Sequence, residues 1–457
     1  MVRPQIVITG CGVVNPLGVN RDQFWDALRA GRSALRREDP AGAASVGDAG
    51  KLSALLRSGE ATAAAATGLW AARVGDFGAA AAIDANRRRR MPRLGQMAIV
   101  AAQQALGVAR DPAVATPDSA LVLSFYGADR VGVALGTALG ALDLTVEFMT
   151  QYLSAGLAAG SPASFPYTVL NTPAALIAME LGLRGPNVTV NHRDLSAAEA
   201  LATACDLLAC GRADAILAGG ADELSQSLLH AYRRFACLAT PGEPGDAASA
   251  AADGRSLPYD RRRHGLCPGE GATLFLLERA DAAERRGARV LARVAGYGRG
   301  GDARSRVGWS APQGVGAAAL DGAQAAIHTA LRSAGCRAEQ VDCVVGSGNG
   351  TDLDPLESTL LRQTLAAAAD RVAVVSLLGQ SGEWPTSAAA RLGQALFTLH
   401  EQALPRCPCP HPDAQAALPG LCVQRDSPEP IPAAVEHILV PCVAQGGGSV
   451  ALMLARG

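Results

Sequence analysis

The sequence predicts an α/β protein of layered sheets and helices, arranged as two related halves. Short apolar runs ending in glycine alternate with longer stretches rich in Ala and Leu at helical spacing. The order strand, Gly-rich turn, helix runs through residues 131–153 and returns over 341–366. Such recurrence points to an internal duplication.

The elements follow in order. Ile6 to Gly10 is a β-branched strand entering the turn Asn15-Pro16-Leu17-Gly18. Asn20, Arg21 and Asp22 open a helix through Phe24, Trp25 and Leu28, and Gly31 stops it. Residues 37–66 lack any clean period and read as a surface insertion, while the four-Arg run Arg87 to Arg90 reads as a solvated loop or helix entry. Leu94 to Leu106 is a periodic helix. Val131 to Leu135 is a strand, and Leu142 to Leu153 is a helix whose Leu142, Phe148 and Tyr152 read as core, with the lining of a tunnel as the alternative. Asn171-Thr172-Pro173 starts another helix. Asn187 to Asn191 is strand-like, His192-Arg193-Asp194 turns the chain, and Ser196 to Cys210 is a helix closed by Gly211. Ala213 to Ala218 is a buried strand.

In the second half, Val341 to Val345 and Arg371 to Leu377 are strands leading to the glycine loops at Asn349 and Gln380. Pro355 to Ala366 and Thr386 to Leu404 are helices, and His437 to Val443 and Ser449 to Leu454 bracket Gln445-Gly446-Gly447-Gly448. Helices alternating with apolar strands imply parallel sheets covered on both faces. The halves are placed at 1–250, including the insertion, and 251–457.

Composition narrows the function. A formal net charge of -1 argues against nucleic acid or an anionic membrane as principal partner. No run of 18 apolar residues lacks a charge or turn former, so no membrane span is expected. Eleven cysteines without paired spacing fit a reduced, cytoplasmic setting. Cys407-Pro408-Cys409-Pro410-His411 has no second ligand pair nearby and reads as a Pro-stiffened loop, so no metal site is expected.

The loops carry a resemblance. Ile8-Thr-Gly-Cys-Gly-Val-Val-Asn-Pro-Leu-Gly18, Arg130-Val-Gly-Val-Ala-Leu-Gly-Thr137, Leu183-Arg-Gly-Pro-Asn187, Ala215-Ile-Leu-Ala-Gly-Gly-Ala221 and Pro258-Tyr-Asp-Arg-Arg-Arg-His-Gly265 with Gly269-Glu-Gly-Ala272 occur in the order of the β-ketoacyl-ACP synthases. The whole chain resembles that family. The resemblance implies the thiolase fold, with pseudo-twofold halves in a five-layered αβαβα architecture. It implies substrates carried on the phosphopantetheine arm of an acyl carrier protein, with no bound cofactor.

The family's catalysis needs a Cys at the start of a buried helix, where amide donors and the macrodipole favour thiolate, and two histidines that bind the thioester oxygen. By resemblance the Cys position is Asp194, the histidine positions are Asn349 and Gln380, and the family's lysine position is Val375. Thr351, His192 and the late loop Gln445, Gly446 and Gly447 complete the expected substrate-binding set. A carboxylate attacking a thioester would form an anhydride, uphill from its reactant. Aspartate at a helix start is instead a good N-cap, worth about 1 kcal/mol over Ala, and an anionic plug against a malonyl group. Asn349 and Gln380 retain hydrogen-bond donors for a carbonyl oxygen, but neither delivers a proton at neutral pH.

The resemblance therefore implies a degenerate member like the chain-length factors of type II polyketide systems. Such a subunit does no condensation, pairs with an active ketosynthase or with itself, and shapes an acyl tunnel. Two alternatives stand beside it: a divergent acyl-transfer or decarboxylating enzyme using Asp194 and His192, and a homodimeric scaffold that binds acyl carrier protein.

Overall fold

A computed structural model describes residues 4–38, 69–107, 119–156, 159–239, 255–302, 320–407, 409–421, 429–444 and 446–457. Most of the expected insertion at 37–66 therefore lies outside the described residues, as does Gln445.

The first half supplies strands β1 (Ile6–Val14), β2 (Val131–Gly136), β3 (Asn187–Val190), β4 (Ala215–Asp222) and β5 (Gly271–Arg279). The second supplies β6 (Ala292–Gly301), β7 (Cys343–Val345), β8 (Ala373–Val375), β9 (His437–Val443) and β10 (Gly448–Ala455). They form one ten-stranded sheet in the order β8-β7-β9-β10-β6-β1-β5-β4-β2-β3. Counting strands within each half, both run third, second, fourth, fifth, first. The duplication expected from the sequence is thus present in the topology. Only Ile6 to Ile8 of β1, paired with Ala292 to Val294 of β6, join the two halves into one sheet.

Two expectations need correction. The sheet is mixed: β3-β2-β4 and β8-β7-β9 are parallel, whereas the pairs from the fourth strand to the fifth and from the fifth to the first are antiparallel. An apolar run shows that a strand is buried on both faces, but not which way its neighbour points. The division of the halves also falls later than residue 250, because β5 completes the first half's strand order and the second half opens with β6.

The longer helices among the described residues are α1 (Arg21–Arg29), α2 (Arg93–Leu106), α3 (Leu142–Ala155), α4 (Thr172–Leu181), α5 (Ser196–Ala209), α6 (Gln226–Arg234), α7 (Asp321–Ala334), α8 (Leu353–Leu365) and α9 (Ala388–Glu401). The α5 and α9 helices pack on each other and on strands of both halves, forming the central layer. On the outer faces, α2 and α4 cover the first half, and α7 and α8 the second. This is the five-layered arrangement.

Side-chain alternation builds it. In β2, Ala134 faces the central core while Val131, Val133 and Leu135 face outward under α4. In β9, Ile438, Val440 and Cys442 face inward and Leu439 faces outward. Strands buried on both faces read as continuous apolar runs, which is why they stood out in the sequence.

Candidate functional site

Asp194 and Asn349, far apart in sequence, line one pocket at the start of α5. The chain enters α5 through the one-turn 3-10 segment Arg193–Leu195. Arg193 holds a left-handed φ of 49°, a strained conformation for a residue with a Cβ. Ser196 fastens this turn: its Oγ accepts from the His192 amide at 2.9 Å and donates to the Arg193 carbonyl at 2.6 Å. The N-cap residue of α5 is Leu195, which has no side-chain acceptor. The expectation that Asp194 caps the helix is corrected accordingly: the 3-10 turn places it one residue ahead of the cap and in the pocket wall. His192 is exposed and its ring lies against Gly448, where an added Cβ would meet Nε2 at 3.1 Å.

Asn349 stands on the loop after β7, buried at 1% exposure. Asp354, at the start of α8, holds the loop by accepting the amides of Asn349 at 2.9 Å, Gly350 at 3.1 Å and Tyr259 at 2.7 Å. Burial pushes the Asp354 carboxyl up to about 7, against the pull of those amides. The Asn349 side chain is committed at both ends. Its Oδ1 accepts from the Thr351 amide at 3.0 Å and hydroxyl at 2.6 Å, and its Nδ2 donates to Glu383 Oε2 at 2.6 Å. One of the two Asn349 amide N–H groups is therefore given to Glu383 rather than held open for a carbonyl oxygen.

Glu383 was not singled out in the sequence, although it is a lone acid in Gly382-Glu383-Trp384-Pro385 just before an apolar helix. Its backbone is clamped on both sides, the amide donating to Cys267 O at 2.8 Å and the carbonyl accepting from Gly269 at 2.6 Å. Burial first, then the neighbouring Asp194 charge, push its carboxyl up to about 8, while the Asn349 hydrogen bond and Arg391 pull it down. Arg391, also missed, is a cation inside the Ala-rich stretch that became α9. Its guanidinium donates to Pro441 O at 2.8 Å and to Cys442 Sγ at 3.0 Å. Cys442 lines the same pocket, and burial pushes its thiol up despite Arg391. A neutral thiol is a poor nucleophile.

The other expected residues are not among those lining this pocket. Gln380 is buried at 1% exposure in the turn Leu378–Ser381, and neither its side-chain nitrogen nor its oxygen has a hydrogen-bond partner among the described residues. It is not among the residues lining the pocket with Asp194. Val375 is fully buried at the end of β8 in the central core. Gly446 and Gly447, with φ of 92° and 86°, turn the chain from β9 to β10, and the Gly447 carbonyl accepts from the Asp302 amide at 2.9 Å. Cys407 and Cys409 are buried, and burial pushes the Cys409 thiol up to about 12. No cluster of three or more His, Cys, Asp or Glu able to hold a metal occurs among the described residues, and no helix among them is long and apolar enough to cross a membrane.

Two family models span this architecture: the β-ketoacyl synthase N-terminal domain matches residues 3–283 and the C-terminal domain residues 291–409. The chain belongs to the β-ketoacyl synthase family. Among sequence relatives of this family member, 3-oxoacyl-[acyl-carrier-protein] synthase 2 of Coxiella burnetii is 28% identical, over 85% of this chain and 84% of the relative. A putative polyketide β-ketoacyl synthase 1 of Streptomyces virginiae is 30% identical, over 84% and 82%. Among solved structures, the ishigamide ketosynthase/chain length factor superposes with a TM-score of 0.77 at 23% identity over the whole of both chains. A β-ketoacyl synthase from Burkholderia phymatum gives 0.79, also at 23%, over 99% of this chain and all of the other. The thiolase fold is thus common to all of them. The junction of the two family models, between residues 283 and 291, coincides with the passage from β5 to β6.

Proposed function

We propose that this β-ketoacyl synthase homologue is a non-condensing subunit of the chain-length-factor kind, pairing with an active ketosynthase and shaping its acyl tunnel. The observation that carries the reading is the pocket itself. By the resemblance, a carboxylate stands where the family's cycle needs a thiol, and one N–H of the amide that lines the pocket with it is bound to Glu383. The nearest thiol, Cys442, is held neutral by burial.

The surface supports a partner. The outer edge of β3 is the end of the sheet, and an open edge invites pairing with another chain. Beside it, α3 has no buried residue although it carries Leu142, Leu144, Val146, Phe148, Met149, Tyr152 and Leu153. The expected core role holds for Leu142, which packs against the cluster around Leu224 and Leu228, and is corrected for Tyr152: with Met149 and Leu153 it forms an outward apolar face, continued by Phe165, Val169 and Leu170. A large exposed apolar patch marks an interaction site. The alternative that pairs Asp194 with His192 gains no support from an exposed imidazole set against Gly448.

Co-expression with a Cys-bearing ketosynthase, followed by incubation with an acyl-carrier thioester and mass spectrometry, tests the reading. The expected result is a stable complex in which acyl groups load only the companion's cysteine. An acyl adduct on Asp194, or chain elongation by this protein alone, would overturn it.

A further inference from the structure

The geometry points to a carboxyl-binding subsite in this pocket that is occupied by the chain's own Glu383. The Glu383 carboxyl is not a surface acid that has folded inward. Its backbone is fixed at both amide and carbonyl by Cys267 and Gly269, which sets the direction in which its side chain leaves the chain. That direction ends on Asn349 Nδ2 at 2.6 Å, and Asn349 is itself immobilised by Asp354 and Thr351. A fixed amide donor meeting a carboxyl oxygen inside an enclosed pocket is how a protein recognises a carboxylic acid.

A second observation points the same way. Arg391 lines the pocket at 4% exposure, and its Nε has no acceptor among the described residues. A buried guanidinium N–H without a partner costs free energy unless something accepts from it. The pocket thus holds an Asn349 N–H given to Glu383, an unpartnered N–H on Arg391, and a tethered carboxyl among Leu353, Leu356 and Leu378. Removing the tethered group leaves a cavity shaped for a small monocarboxylic acid with a short apolar tail. In the intact protein the consequence is self-occlusion: a carboxylated acyl unit entering on a carrier arm meets Glu383 in the space it would fill.

This inference rests on the reading of the pocket as non-condensing, but its test needs no partner, so the two fail separately. The full-length protein, in whatever assembly it purifies, is compared as wild type, Glu383→Ala and Glu383→Gln. Thermal unfolding is followed in sodium acetate or propionate against sodium chloride at equal ionic strength. Glu383→Ala is expected to show a saturable rise in melting temperature with acetate and a larger one with propionate. Wild type and Glu383→Gln, whose pockets stay filled, are expected to show none beyond the chloride control. Equal responses in all three proteins, or a folded Glu383→Ala that ignores both acids, would overturn the subsite. Should Glu383→Ala fail to fold, Glu383→Ser opens the same space and is read in the same way.

Discussion

Glu383 ionises late, and the sign of its effect on stability follows directly. In the unfolded chain its carboxyl titrates in the ordinary carboxylate range; in the folded protein burial and Asp194 hold it up to about 8. The folded state therefore keeps a proton that the unfolded state releases. Its contribution is full below the ordinary carboxylate range and is lost as pH rises to about 8, beyond which both states are ionised. Glu383→Gln, isosteric and unable to ionise, lacks this dependence. The urea-unfolding midpoint of wild type should fall relative to Glu383→Gln between about pH 5 and about pH 8 and then level off. A gap that stays constant with pH would show that Glu383 is ionised throughout.

Between elements, the two halves solve one packing problem in the same way. The first strand of each half must lie under an outer helix closely enough to bury both. In β1, an added Cβ at Gly10 or Gly12 would stand 1.9 Å from Ala105 O or 1.8 Å from Ala101 O, both in α2. In β6, Gly298 and Gly300 face Ala326 O at 2.1 Å and Gly322 O at 1.9 Å, both in α7. Glycine costs backbone entropy within a strand, and here it is offset by close helix–strand contact. Gly298→Val should destabilise the protein by about 3 kcal/mol or more, since the obstructing atom belongs to the backbone and cannot swing aside. Gly301→Val, whose nearest neighbour would be Gly447 O at 4.0 Å, should stay within about 1 kcal/mol of wild type. Chemical denaturation of the two variants compares them directly; equal losses would mean that strand propensity, not the helix contact, governs these positions.

For the whole molecule, association is the property most exposed to test. Leu153 is 74% and Phe165 is 55% exposed, and the Phe165 ring lies 5.8 Å from that of Phe148. Replacing Leu153 and Phe165 together by Asp should leave folding within about 1 kcal/mol of wild type, because neither is buried in the protomer. It should weaken pairing with the companion, or with a second copy, at least about tenfold, because the charges would be desolvated in the interface. Light scattering coupled to size exclusion reads the assembly and circular dichroism reads the fold. Unchanged assembly would place the partner elsewhere on the surface.

Much of this organisation was legible in the chain because it rests on local chemistry. Apolar runs, glycine turns and helix caps such as Asn20, whose Oδ1 accepts from Gln23 at 2.8 Å, act over a few residues, and their repetition disclosed two like halves. The resemblance likewise brought out residues 194 and 349, which share one pocket. Tertiary structure alone decided strand direction, the turn that carries Asp194 past the helix cap, and the bond between Asn349 and Glu383. It also turned Tyr152 of α3 outward, although the sequence reads it as core. Each of these depends on which distant segment comes to lie alongside, and a side chain's partner, unlike its propensity, is set by the packing of the whole chain.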